Sequence, residues 1–216
     1  MQLYIIEALL PIFFFAVATS TAQKRFSEGS ILFTVSTFVD GTKIADDATA
    51  VHMTKGGHVR AEMSSSIGKT ITLFDTREGK GAIIRELGSQ KILIPLNREN
   101  WAETNAKFKD LVYAFSDDSK ELIGFKCNKA SAILKDSTII GVFYTREIST
   151  ENPEVDSQFG SLPGMALQFS YTKGNTVVVY TATAINFDPV PIQKFDLPSS
   201  GYRVLSYEDS KKGSKK

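Results

Sequence analysis

The sequence has few of the side chains that enzymes and metal proteins most often use for chemistry. Its 216 residues include one cysteine and two histidines. The single cysteine, Cys127, cannot form an intrachain disulfide, and its place in a strand-like run predicts a small buried hydrophobic residue. The histidines, His52 and His58, flank the turn at Lys55-Gly56-Gly57, where we expect them to face each other on an exposed strand pair.

A catalytic or metal site is also poorly supported by the acidic residues. A hydrolytic triad needs a histidine beside a nucleophile and an acid, and a zinc site needs three or four ligands. Near the histidines, only Glu62 and the pair Asp46-Asp47 would be available as further ligands. Adjacent residues of an extended chain point to opposite sides, so neither Asp46-Asp47 nor Asp117-Asp118 makes an acid–base pair. We therefore expect no enzyme activity, no bound metal and no cofactor.

Neither sign of charge predominates, since 25 Lys and Arg residues stand against 24 Asp and Glu residues, a formal net charge of +1. Nucleic-acid binding requires a basic patch, and no basic stripe accompanies the aromatic residues here, so we expect no nucleic-acid partner. Three glycines, Gly79, Gly81 and Gly88, are spread among strand-like runs and do not form a phosphate-binding loop before a helix.

The apolar run near the N-terminus, Ala8–Ala18, is too short for a membrane-spanning helix, which needs about 20 residues. Ser20 and Ala22 then place small residues where a signal peptidase requires them, which predicts secretion and cleavage after Ala22. The residues before the run include Glu7 and no Lys or Arg, so an uncleaved membrane anchor is the alternative.

From these features we predict three segments. Residues 1–22 are expected to be a signal peptide, residues 23–208 a single β-rich domain, and residues 209–216 a basic, disordered tail. The expected location is the periplasm or the outer membrane of a Gram-negative bacterium.

Short runs rich in β-branched and aromatic residues, separated by turn residues, make up most of the remaining chain. One run, Ser30–Val39, ends at Asp40-Gly41, a frequent hairpin dipeptide. Another, Glu121–Leu134, has the length of one long strand. We count roughly ten such strands.

One helix interrupts this pattern. Asn97 is a good N-cap residue, and the following segment Arg98–Asp110 places Trp101, Phe108 and then Leu111 on one narrow apolar stripe. The predicted fold is mainly β: a curved antiparallel sheet or open half-barrel with one amphipathic helix on its concave face.

Three stretches in the second half of the chain resemble motifs of the GLPGLI family of exported bacterial proteins. They are Asp117–Ala130 (DDSKELIGFKCNKA), Val142–Ile148 (VFYTREI) and Phe159–Leu167 (FGSLPGMAL), in the family's order and spacing. Ser161 and Met165 depart from the signature FGGLPGLIL. The resemblance implies export to the cell envelope and a fold like that of the lipoprotein carrier LolA, and it implies no established activity.

The motif Leu162-Pro163-Gly164 within the last stretch predicts a type II turn before the next strand. Proline fixes its own φ, and glycine permits the positive φ that this turn requires. The alternative is a loop that touches a ligand.

Large apolar residues surround the predicted helix and suggest a hydrophobic binding site. The candidate ligand-binding residues are Leu73, Ile83, Ile92, Ile94, Trp101, Phe108 and Phe143. A lipid or lipoprotein is the expected ligand if these residues line a cavity. If they fill the core instead, the expected function is that of a structural or interaction protein that binds another envelope protein through a sheet edge or the loop Glu147–Ser161.

Overall fold

A computed structural model of the chain describes residues 23–150 and 158–213, and for residues 45–47 the backbone alone. The described chain is mostly strand. The strands are β1 (Lys24–Phe26), β2 (Glu28–Val39), β3 (Thr42–Lys55), β4 (His58–Ser65), β5 (Gly68–Asp75), β6 (Lys80–Leu87), β7 (Gln90–Asn97), β8 (Ala114–Leu122), β9 (Phe125–Ile133), β10 (Ile139–Thr145), β11 (Ile148–Thr150), β12 (Met165–Lys173), β13 (Thr176–Asn186) and β14 (Arg203–Val204). The helices are α1 (Arg98–Asn105) and α2 (Tyr207–Gly213), with 3-10 turns at Ala106–Phe108 and Ile192–Phe195.

Twelve of these strands form one sheet in the order β14-β7-β6-β5-β4-β3-β2-β13-β12-β10-β9-β8. Only the short edge strand β14 runs parallel to its neighbour, and the other neighbours in this sheet are antiparallel. The two ends of the order, β14 and β8, do not pair with each other, so the sheet is open. The predicted fold class, a curved antiparallel sheet with a helix on its concave face, is confirmed.

The predicted hairpin at Asp40-Gly41 is also confirmed. Both residues have positive φ, 50° and 77°, as the two central residues of a type I′ turn require. The predicted long strand Glu121–Leu134 is wrong, because Ile123 and Gly124 form a second tight turn between β8 and β9. Ile123 has a φ of 44°, which is unusual for a β-branched residue, and one glycine is the strongest turn signal at this point of the sequence.

Helix α1 begins where the sequence predicts but ends earlier. The Asn97 side chain accepts a hydrogen bond from the backbone N–H of Asn100, and the Asn100 side chain accepts one from Asn97 N–H, a reciprocal cap. The predicted end at Asp110 is wrong, since the α-helix stops at Asn105. The Asn105 amide donates to the carbonyl of Trp101, and such local bonds compete with the helical hydrogen bonds that would extend the helix.

The two faces of the sheet carry separate apolar clusters. Alternation along β2 directs Ile31, Phe33 and Val35 to the face that bears α1, and they join the large cluster there. On the opposite, outer face, Leu73 and Ile84 belong to a smaller cluster formed by β5 and β6.

The C-terminal segment, residues 187–213, covers part of the outer face. Val190 N–H donates to the Glu28 carboxylate at 2.7 Å, and Phe195 and Tyr202 pack on the outer cluster. Leu205 N–H then donates to the Leu93 carbonyl beside the sheet edge at 2.9 Å.

Helix α2 follows and packs against α1. The Tyr207 and Thr104 hydroxyls are hydrogen-bonded at 3.1 Å, and Lys211 forms an ion pair with Glu103. Residues 209–213 of the predicted tail thus belong to this helix, and the Ser206 hydroxyl accepts a hydrogen bond from Asp209 N–H at its start.

Some expectations concern residues outside the described ranges. The predicted signal peptide at 1–22 and the last residues of the tail, 214–216, lie there, as do the side chains of Asp46 and Asp47. Within the ranges that the structure describes, no helix is long and apolar enough to cross a membrane.

Candidate functional site

A cavity of about 480 Å³ lies on the concave face, between the central strands and helix α1. Its floor comes from three adjacent strands, β2, β3 and β4. The register places Ile31 opposite His52 and His52 opposite Ala61, so these side chains share one face. Phe33 and Val59 complete the floor. Strict alternation along the strands is what brings them together.

Aromatic rings cover this floor. Trp101, the only tryptophan of the chain, stacks on Phe74 of β5 with ring centroids 4.3 Å apart and faces the cavity from α1. Phe108, in the 3-10 turn after α1, and Phe159 add to the cover. These rings give the cavity a mostly apolar aromatic cover.

The inner end of the cavity is closed by the strand that follows the Leu162-Pro163-Gly164 motif. Met165 and Phe169 of β12 line it, and Phe169 contacts Phe33 and Phe159 at centroid distances of 5.5 and 5.0 Å. On its other side Phe169 stacks on Tyr180 at 4.6 Å. These contacts make the inner end a closed aromatic wall.

The open end lies at the turn between β3 and β4. Of the lining residues, Ser27, Gly56, Arg77 and Thr150 are exposed, and the rest are buried or half-buried. Gly56 N–H donates to the Ser27 carbonyl at 3.2 Å, which places two of the four side by side. Phe26, next to Ser27, pairs with Thr150 in the two-stranded sheet of β1 and β11. The exposed lining residues therefore mark one mouth.

His52 is one of the polar groups in the floor. Its ring lies 5.0 Å from that of Phe33, and burial lowers the pKa of His52 to about 4. The imidazole is therefore uncharged at neutral pH. The expectation that the two histidines face each other is wrong: His58 lies on the outer face, 3.4 Å from Asp75 and beside Phe195. The alternation of β4 sends His58 to the side opposite Val59 and Ala61.

The remaining charge around the cavity is sparse. None of the described lining residues is acidic. Arg60 is one of the lining residues. Its guanidinium donates hydrogen bonds to the Glu62 carboxylate at 2.6 Å and to the Lys194 carbonyl at 2.9 Å. Arg77 at the mouth is the other cation. Apart from these two arginines, the described lining is uncharged at neutral pH. Most of it is apolar, and its polar side chains include His52, Asn105 and Gln158.

The structure places the sequence-predicted residues in three groups. Trp101 and Phe108 line the cavity. Ile83, Ile92 and Ile94 lie by register on the same face as Phe74, over β6 and β7 and outside the cavity lining.

The last two predicted residues lie away from the cavity. Leu73, 2% exposed, belongs to the outer cluster because alternation separates it from Phe74. Phe143 lies opposite Gln168 on β12, where the Lys120 ammonium sits 3.9 Å from its ring. The apolar character of these two residues did not indicate on which side of the sheet, or how far from the helix, their side chains would lie.

The motif Leu162-Pro163-Gly164 contributes to packing beside the cavity. Leu162 is buried in the concave cluster, and the Ser161 hydroxyl donates to the Leu111 carbonyl at 3.1 Å. The predicted type II turn with positive φ at Gly164 is wrong, since Gly164 is not among the described residues of positive φ. Glycine is needed there for space: a Cβ would lie 2.0 Å from the Thr145 carbonyl oxygen.

The expected burial of Cys127 is confirmed, and burial raises the pKa of its thiol to about 11. Within the described parts of the chain, no three His, Cys, Asp or Glu residues are grouped so that they could hold a metal ion.

Sequence reasoning missed most of the cavity wall. His52 lies in phase with Ala48, Ala50 and Thr54 along β3, so the period of two was a usable signal that its side chain points inward with the alanines. The contribution of Phe169 and Arg77 depends on which strands become neighbours, and the sequence pattern carries no such signal.

Comparison with solved structures finds similar folds at low sequence identity. PNGF-II is 12% identical over 85% of this chain and 32% of its own, with a TM-score of 0.48, so the chain spans about a third of that protein. An uncharacterised conserved protein from Thermus thermophilus is 9% identical over 86% of this chain and 92% of its own, with a TM-score of 0.50. A chain of the Pseudomonas aeruginosa MucA/MucB complex is 10% identical over 80% of this chain and 57% of its own, with a TM-score of 0.40.

No family model and no curated protein matches the sequence. The structural similarity to the Thermus protein extends over most of both chains, and it shows a shared fold alone.

Proposed function

We propose that this protein is an exported protein of the bacterial cell envelope that binds a hydrophobic ligand, the acyl chain of a lipid or lipoprotein, in the cavity on its concave face. The observation that carries the proposal is the cavity itself, which is lined mainly by aromatic and aliphatic side chains and whose exposed described residues lie at one end. Membership in the GLPGLI family and the absence of enzyme activity are parts of the same proposal.

The dimensions and chemistry of the cavity support binding. Small-molecule sites are mostly apolar clefts of roughly 300–1,000 Å³ with a few polar groups, and about 480 Å³ lies within that range. Phe33, Trp101 and Phe169 give the walls a large apolar area at fixed positions. Removal of apolar surface from water lowers the free energy of the system. An acyl chain is therefore the ligand that such walls favour.

A second candidate function is that of an interaction protein. Among the described strands, β8 (Ala114–Leu122) is an edge of the sheet. Its Phe115 is 56% exposed, and Val112, just before the strand, is 82% exposed. An exposed edge offers unpaired backbone groups to a partner strand. The loop Glu147–Ser161, the other expected interaction segment, lies partly outside the described residues.

Native mass spectrometry of the protein purified without detergent, with lipid extraction of the same sample, tests the proposal. The expected result is a stoichiometric lipid adduct. The variant Ala61→Phe fills the cavity floor and should remove the adduct, whereas Ala102→Phe, on the exposed side of α1, should retain it.

An adduct of unchanged occupancy in the Ala61→Phe variant would contradict binding in this cavity. The mass of the protein alone, with no recovered lipid and no binding of added lipid, would contradict the hydrophobic-ligand function. It would favour the second candidate function, that of an interaction protein.

A further inference from the structure

We propose that the ligand is an anionic amphiphile with one acyl chain, and that the Arg77 guanidinium at the mouth of the cavity binds its acidic head while the chain extends inward. This inference rests on the proposed function and specifies the class of ligand and its orientation.

The position of Arg77 is fixed by the pairing of neighbouring strands. Register places Asp75, at the end of β5, opposite His58, at the start of β4, and Thr76 N–H donates to the Gly57 carbonyl at 3.0 Å. Arg77 therefore lies over the β3–β4 turn. Its guanidinium is close enough to Gly56 that a Cβ there would lie 3.2 Å from Nη2.

The loop that carries Arg77 is held in place by several hydrogen bonds. The Asp75 carboxylate accepts hydrogen bonds from the backbone N–H groups of Arg77 and Glu78 at 2.8 and 3.2 Å. From α1, Arg98 donates to the carbonyls of Thr76 and Arg77 at 3.3 and 3.0 Å. Arg98 also brings a second positive charge beside the mouth.

The Arg77 guanidinium has no hydrogen-bond or ion-pair partner among the described residues. The other arginine of the lining, Arg60, is already paired with Glu62. Glu78 is exposed and does not line the cavity. Arg77 is thus the one cation of the described lining whose donors stay available, and a planar guanidinium matches a carboxylate or phosphate.

Among the described lining residues, the interior offers no further cation to a negative charge. His52 lies on β3 four residues before Gly56, about 13 Å deeper at the usual strand rise, and it is uncharged at neutral pH. A carboxylate moved to this depth would lose its hydration without gaining a cation. The chain of the amphiphile therefore occupies the space between Trp101, Phe33 and Phe169, and its head stays at the mouth.

Isothermal titration calorimetry with matched ligands tests this orientation. The probes are laurate, dodecanol and dodecylamine, each below the concentration at which it aggregates. The wild-type protein is expected to bind laurate about tenfold more tightly than dodecanol, in keeping with one charge-assisted hydrogen-bonded contact, and dodecylamine least tightly.

The variant Arg77→Gln should weaken laurate binding about tenfold and leave dodecanol binding unchanged, since the alcohol makes no use of the charge. Arg77→Lys should retain part of the preference. Arg203→Gln removes another exposed arginine, from β14 and outside the cavity lining, and should change neither affinity.

Equal affinities for laurate and dodecanol in the wild-type protein would overturn the role of Arg77 and leave the hydrophobic-ligand function standing. Unchanged laurate binding in Arg77→Gln would do the same. Failure of all three probes to bind would overturn both this inference and the proposed function.

Discussion

The two faces of the sheet show how one pattern of alternating residues can give a filled core on one side and a cavity on the other. On the outer face, the side chains of β5 and β6 are covered by Phe195 and Tyr202, which come from the C-terminal segment. Between Phe187 and Ser206, that segment contains only a 3-10 turn and the two-residue strand β14 as regular structure. On the concave face, the cover is a short helix.

Helix α1 covers only part of the concave face. Its ring contact is Trp101 on Phe74 of β5, and its strand neighbour is β7. Over β2, β3 and β4 the cover continues as separate rings, among them Phe108 and Phe159, and the space beneath them stays open. The geometry of the covering segment decides whether a face is filled.

The largest expected effect concerns the outer face. Leu73 is 2% exposed there, and Leu73→Ala should lower the free energy of unfolding by about 3 kcal/mol through lost burial and an unfilled space. Urea denaturation measures the loss. Leu87→Ala, at a leucine of β6 that is 45% exposed, should lower the free energy of unfolding by only about 1 kcal/mol. Similar losses in both variants would show that the outer cluster is not a packed core.

The next effect compares two glycines, one that is needed because no side chain fits beside it and one that is needed for its positive φ. Gly164→Ala should lower the free energy of unfolding by about 2 kcal/mol, because its Cβ would overlap the Thr145 carbonyl oxygen. Gly174, in the β12–β13 turn, has a φ of 59° and nothing within 4 Å of a Cβ. Gly174→Ala should therefore cost only about 1 kcal/mol of backbone strain. Thermal denaturation measures the stability of both variants. A larger loss of stability in Gly174→Ala than in Gly164→Ala would contradict this order.

The smallest of the three effects is a pH dependence of the free energy of unfolding, caused by His52 on the concave face. The pKa of His52 falls from 6.5 to about 4 on folding, so between these values the unfolded chain binds more protons than the folded one. Stability should therefore be complete well above pH 6.5 and be lower by about 1–2 kcal/mol once the pH has fallen to between about 5.5 and 5.

His52→Leu should remove this part of the acid-induced loss, and His58→Gln on the outer face should retain it. Urea denaturation of the three proteins at several pH values between 4 and 7 gives the comparison. A pH dependence that is the same in the wild type and in His52→Leu would contradict the burial of a neutral imidazole in the cavity.

Local chemistry made part of the fold predictable. The Asp40-Gly41 hairpin and the Asn97 cap depend on residues a few positions apart, and both were predicted correctly. The turn at Ile123-Gly124 was missed because isoleucine disfavours the conformation that it adopts there.

The site was less predictable than the fold because it depends on contacts between distant segments. Trp101 was identified from its helix, but Phe169 reaches the cavity only because β12 lies beside β13, and β13 beside β2. Arg77 reaches the mouth through the register of β4 and β5, and many registers fit the same alternating pattern.

The most direct test of the central claim uses Trp101, since this single tryptophan lies in the wall of the cavity. Tryptophan emission should be followed while laurate is added to the wild-type protein and to Ala61→Phe. We expect a saturable change in emission in the wild type, because an acyl chain displaces water from the indole, and at least about a tenfold weaker response in the filled variant. No change in the wild type, or the same saturable change in both proteins, would contradict a ligand-binding cavity on the concave face.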